Sequence, residues 1–263
     1  MLAEPSFLQA SLLRPELAIA ALELSRLSGV MAVSPIPWNN APRKVKVGLL
    51  IFLLAAVHGI GDSQLKEVPS AGWAAIHVST EFLIGISIGM VVRLSVAAAE
   101  IAGGAIALPI GFSAAQAFDP TIGGTDSIVP RMFRNLALLV AVITGFHRTM
   151  LEALVSSFHL VPVGTAQHVE ATFPLFLELS GHVLAVGLKL ALPLLAVLLM
   201  ANVALAFVAR AAPTMQIFNV GFAVLLGTGA VVLLLSLPEL SREIALGFDR
   251  NAIYFERLLA ELR

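Results

Sequence analysis

The 263-residue chain contains no cysteine. Disulfides, thiolate metal sites and cysteine nucleophiles are therefore excluded. Charge is scarce as well. Charged residues make up 13%, against about a quarter in soluble domains. The net charge of −1 leaves no electrostatic case for nucleic acid. No P-loop or dinucleotide fingerprint is present, which argues against an ATPase motor. The six histidines form neither HExxH nor a paired i,i+4 ligand set, so no metal and no cofactor is expected. Residues 1–10 carry Glu4 and no basic cluster ahead of an apolar core, so no cleavable signal peptide is expected. The remainder is apolar. Hydrophobic residues reach 58% and mean hydropathy is +0.93, the composition of a membrane protein.

The segment Gly103–Ser127 interrupts this pattern near the middle of the chain. Pro109 is expected to disrupt a helical ladder there, and Gly123-Gly124 to break any helix beyond it. Irregular backbone at membrane depth is tolerated only where protein buries it or where it lines a cavity. A loop folded into a lumen, or capping one, is the expectation.

The flanking segments read as helices. Residues 7–34 carry Arg14, Glu16, Glu23 and Arg26, a poor lipid-facing span that suits burial in an assembly. Val45–Ile60 is short for the roughly 20 residues that cross a bilayer. Residues 73–108 hold Glu81, Arg93 and Glu100, expected on similar faces of one helix. Charges at such depth face a bundle interior or an aqueous cavity. Either structural pairing or a transport role would account for them. Gly85 and Gly89 form a GxxxG that lets another helix approach closely. The fourth segment runs from Phe133 to Phe158, and 159–181 reads as a mixed loop. The fifth, His182–Ala209, ends at Arg210, where a cation complements the helix dipole and Pro213 prevents continuation. The sixth ends at Pro238. A C-terminal helix over 239–263 carries Leu240, Ile244, Phe248, Phe255, Leu259 and Leu262 on one face. Six apolar helical segments result, in an all-α polytopic membrane protein. Basic residues favour the odd connections, at Arg43, Lys44, Lys46, Arg131, Arg134 and Arg210. The positive-inside rule would put those in the cytoplasm.

Three chemical readings compete. Glu81, Arg93, Glu100 and Lys189 would form the relay of a small-molecule or ion transporter, but no repeat of matching halves is detectable. Gly111-Phe112-Ser113-Ala114 matches half of the GxSG of intramembrane serine proteases and would need His147 or His182 as base. Asp119-Pro120 reads more simply as a turn.

The third reading comes from a resemblance carried by ordered motifs. Pro42-Arg43-Lys44-Val45-Lys46-Val47-Gly48 opens the second segment, and Glu81–Gly89 reads E-F-L-I-G-x-x-x-G. The centre gives G-F-x-x-A-x-x-x-D-P-x-x-G, from Gly111 to Gly123. Ser157, Phe158, Pro162 and Gly164 come next. Ala209–Pro213 then leads to Phe218, Gly221 and Phe222. In this set, over roughly residues 10–238, the chain resembles the FliR/SctT family, the T-type subunit of the type III secretion export gate, in its flagellar form. It departs from the family pattern at Thr214 and Gln216, at Gly145-Phe146-His147 and at Ala223-Val224-Leu225.

The resemblance implies a non-enzymatic pore subunit over residues 1–238, with 239–263 as an appended amphipathic helix. Kinked helical hairpins would form part of a helical, cone-like pore. Its partners would be FliP-like and FliQ-like gate subunits, FlhB-like and FlhA-like export components, and unfolded export substrates. The place would be the bacterial inner membrane within the flagellar basal body. The family's lumenal plug maps onto Ile110, Gly111, Phe112, Gln116, Phe118, Asp119 and Pro120. Its apolar members suit a water-excluding seal. Glu81, Arg93, Glu100, Arg210, Pro213 and Phe218 are expected in structural or subunit contacts.

Overall fold

The computed structural model describes residues 15–36, 41–59, 71–110, 128–165, 169–211 and 217–262. Regular structure among them is helical throughout. The helices are α1 (Pro15–Val33), α2 (Arg43–Val57), α3 (Ala71–Ile110), α4 (Ile128–Ile143), α5 (Phe146–Leu160), α6 (Phe173–Ala211) and α7 (Ile217–Glu261). A 3-10 turn, Val169–Thr172, leads into α6. Among the described residues three stretches are long and apolar enough to cross a membrane: Gly72–Ile110, Val169–Ala211 and Ala223–Glu261. The bent pair α4–α5 makes a fourth if it counts as one span. The chain is an all-α, multi-pass membrane protein. Over their described residues, α1 and α2 do not qualify as spans, in keeping with their charge and length.

The helix ends reflect local chemistry. Ser34 closes α1 by donating its N–H to Val30 O at 2.9 Å, and its hydroxyl bonds Ile36 O at 2.8 Å. Gly145 adopts φ +78, a left-handed conformation that side chains disfavour, and it separates α4 from α5.

Four sequence expectations fail here. Helix α3 runs through Pro109 to Ile110, so residues 103–110 are helical rather than loop. Pro109 removes only the N–H that would bond the Ala105 carbonyl, and the turns before it keep their ladder. The fourth segment is two helices, broken at Gly145. The expected loop 159–181 is largely helical, since α6 begins at Phe173 with Pro174 tolerated in its first turn. Finally, α7 continues through Pro238. Interior proline costs about 3 kcal/mol. That is offset by the face expected for this helix: Leu240, Ile244, Phe248, Phe255, Leu259 and Leu262 are all buried. Burial of one such side chain stabilises by about 1.5–3 kcal/mol.

The chain forms two compact units, 1–93 with 145–179 and 251–263, and 94–144 with 180–250. In the first, α1 crosses α3 at glycines. A Cβ on Gly29 would lie 3.0 Å from the Cα of Gly85, and one on Gly89 would lie 3.0 Å from Val30 O. Arg257 grips Glu178 in bidentate fashion at 2.7 and 2.8 Å, fastening the end of α7 to the start of α6. In the second, α4 packs on α3 at Gly103, where a Cβ would meet the Cα of Pro130 at 2.8 Å. Gly187 of α6 likewise fits against Ala98 and Ile101.

Candidate functional site: a buried ion pair and the base of the central segment

The glycine crossing of α1 and α3 brings two charges together out of water. Arg26 and Glu81 are both fully buried, and Arg26 Nε donates to Glu81 Oε2 at 2.6 Å. The other two guanidinium nitrogens donate as well. Nη1 donates to Ser157 O at 2.8 Å and to Ser157 Oγ at 3.2 Å, and Nη2 to Val161 O at 3.0 Å. Its carbon lies 4.5 Å from the centre of the Phe158 ring, a cation–π contact. The other Glu81 oxygen accepts the Gly164 N–H at 2.9 Å. One buried pair thus joins α1, α3, the end of α5 and the turn after it. Such a pair offsets its desolvation only when geometry is good and the remaining polar atoms are bonded. Both conditions are met.

A second acid in α1, Glu23, is buried at 3% exposure and meets His58 Nδ1 at 2.9 Å. Hydrogen bonding to Glu23, then its negative charge, raises the His58 pKa above the ordinary value.

The other expected residues scatter. Arg93 is exposed and has no partner among the described residues. Glu100 lies 3.7 Å from Arg134 of α4, each about three-quarters buried. The expectation that all three share a face is corrected for Glu81, while Arg93 and Glu100, seven residues apart, lie within about 20° of one another. Twelve residues at 3.6 per turn place Arg93 about 120° from Glu81. Arg210 stands exposed in the last turn of α6, where its charge complements the helix dipole. Pro213 lies outside the described residues. Phe218 falls within α7, with its side chain outside them.

Of the expected plug, only Ile110 is described. It is 4% exposed and packs where a Cβ on Gly229 of α7 would lie 2.9 Å from its Cγ1. With Val129, Phe133, Leu226 and Leu233 it lines an apolar groove of about 390 Å³. Gly111, Phe112, Gln116, Phe118, Asp119 and Pro120 lie outside the described residues, as does Ser113 of the protease reading. Asn202 reaches toward Pro109 O at 3.5 Å, beside the last turn of α3.

Sequence reasoning noted Arg26 only as a charge that spoils a span. The signal that could have found its role was Gly29 three residues on, opposite the GxxxG of α3. A helix approached that closely has no room for solvent around its charges.

The family model for bacterial export proteins, family 1, matches residues 17–250. The chain belongs to this family. Among its relatives is the flagellar biosynthetic protein FliR of Pectobacterium carotovorum subsp. carotovorum, 34% identical over 74% of each chain. That of Aquifex aeolicus is also 34% identical, over 84% of this chain and 86% of its own. The Escherichia coli (strain K12) FliR is 30% identical over 82% of each. Family and relatives together indicate a component of the flagellar export apparatus. The match takes in both Arg26 and Glu81, the central segment, all of α6 and α7 as far as Arg250.

Proposed function

We propose that this chain is a pore-forming subunit of the flagellar protein export gate, and that its central segment plugs the channel. The observation that carries the reading is the family match over residues 17–250. Three long apolar helices and a glycine-rich central segment starting beside buried Ile110 support it. In this reading the subunit assembles with FliP-like and FliQ-like subunits in the bacterial inner membrane, beside FlhB-like and FlhA-like components. Unfolded flagellar subunits cross through the shared lumen. The role is structural, without catalysis. Ile110 anchors the plug and Phe112 seals it, with Phe118 adding apolar surface. Gln116 and Asp119 hold the closed form through hydrogen bonds, and Pro120 turns the chain back. Arg93, Arg210, Pro213 and Phe218 serve subunit contacts.

The arrangement does not favour the transporter reading. Each Glu81 oxygen is held by a fixed donor inside the fold, which ties the carboxylate to Arg26 and Gly164 rather than to a path for ions. Phe112→Ala, or deletion of residues 111–116, is expected to leak small ions through the closed gate in cells making the whole complex. Membrane conductance unchanged from wild type would reject the plug.

A further inference from the structure

Helix α2 packs on α1 and is anchored chiefly at its C-terminal end. Val57 is its one buried residue, whereas Val45, Val47, Ile51 and Phe52 are exposed. The contact beside Val57 is polar. His58 follows as the C-cap of α2, and its N–H closes the helix on Leu54 O at 2.8 Å. Gly59 then turns the chain away at φ +89, a conformation that glycine adopts without strain. The His58 ring is set against α1, where its Nδ1 meets Glu23 Oε2 at 2.9 Å.

The two partners sit in different surroundings. Glu23 is buried, whereas the His58 side chain is 55% exposed. Water can exchange a proton with the imidazole, while the carboxylate depends on its protein partner. Among the described residues that partner is His58. A buried carboxylate is costly unless a cation and hydrogen bonds compensate it. Arg26, one turn along α1, is committed elsewhere, to Glu81, Ser157 and Val161. The basic residues of α2, Arg43, Lys44 and Lys46, stand at its other end. The nearest of them lies about 18 Å along the helix. Glu16 of α1 adds a second, weaker negative charge acting on the ring. The C-terminal end of the α2 dipole favours a cation at the same place. A protonated ring gives Glu23 a charge-assisted hydrogen bond, about twice as strong as one from the neutral ring.

We propose that Glu23 and His58 form a proton-dependent clasp, in which the protonated ring holds the end of α2 on α1 and loss of its proton to water loosens α2. The hydrogen bond to Glu23, then its negative charge, raises the His58 pKa above the ordinary 6.5. The contribution of the clasp is therefore full below that value and is lost as pH rises through the raised one. Glu23 precedes Arg26 by one turn, so acidity at the end of α2 bears on the helix that carries the buried ion pair.

The chain has no cysteine, so two introduced ones can be spin-labelled without background. Leu17→Cys on α1 and Ile51→Cys on α2 replace exposed residues. Pulsed electron paramagnetic resonance on the labelled full chain in detergent reads the distance between the two helices. At about pH 6 a single narrow distribution is expected. At about pH 9 it should broaden by roughly 10 Å, the width of a helix. His58→Gln cannot take a proton and should be broad at both pH values. His58→Lys keeps its charge across this range and should be narrow at both. Glu23→Gln removes the charge that the clasp compensates and should abolish the pH response. A distribution that is the same at the two pH values in the otherwise unchanged chain overturns the proposal without any variant. So does a pH response that persists in any of the three, because another group would then be titrating. The outcome is independent of the plug, whose failure would appear in conductance alone.

Discussion

At the scale of the residue, the Arg26–Glu81 pair shows how a charge is kept inside an apolar molecule. Each nitrogen of the guanidinium donates to an acceptor, and each oxygen of the carboxylate has a donor. Removing either partner leaves the other buried and uncompensated, a loss of about 3–5 kcal/mol. Arg26→Ala and Glu81→Ala should each lower the thermal midpoint of the detergent-solubilised protein by several degrees. The double variant Arg26→Met with Glu81→Leu should recover most of that loss, because apolar side chains of similar volume replace an ion pair at little cost. A double variant as unstable as the worse single one would mean that the pair itself, rather than the avoided orphan charge, stabilises the unit.

At the scale of the element, helices α1 and α3 touch through backbone, so the glycines set the spacing that the ion pair needs. A Cβ on Gly85 would fall against the Arg26 carbonyl and within 2.9 Å of Val30 N. Neither neighbour is a flexible side-chain tip that could move aside. Gly85→Ala should therefore push the helices apart and cost about 1–3 kcal/mol, measured as loss of thermal midpoint. Gly48→Ala is the control, since nothing lies within 4 Å of its Cβ position. Equal effects of the two would refute the crossing. The same contact shows what the sequence made legible. GxxxG announces a close approach but not which helix approaches, because the partner contributes only Gly29 and a charge that looks like a flaw. Likewise Pro109, Pro193 and Pro238 sit inside helices. Local propensity treats each as a break. Only the packing of faces such as Leu240–Leu262 shows that the surroundings can offset the lost hydrogen bond. Gly145 is the reverse case, a modest local signal that ends a helix because its backbone turns left-handed.

At the scale of the whole molecule, each long helix exceeds what a bilayer can cover. Helix α7 has 45 residues, roughly 68 Å at 1.5 Å per residue, against about 30 Å of hydrocarbon. Its charges begin at Glu239, so the stretch beyond that residue should project from the membrane while 217–238 lies within it. Two exposed apolar positions test the division. Met200, 73% exposed, sits midway along the uncharged run of α6, whereas Ile253, 57% exposed, lies on the projecting part of α7. An arginine at the centre of a span costs about 2.5–3.5 kcal/mol of insertion free energy. One in the projecting part meets water or protein and should cost far less. Met200→Arg is therefore expected to reduce the fraction of protein that resists alkaline carbonate extraction several-fold, and Ile253→Arg to leave it near wild type. Equal loss in the two variants would mean that hydrocarbon reaches past Glu239.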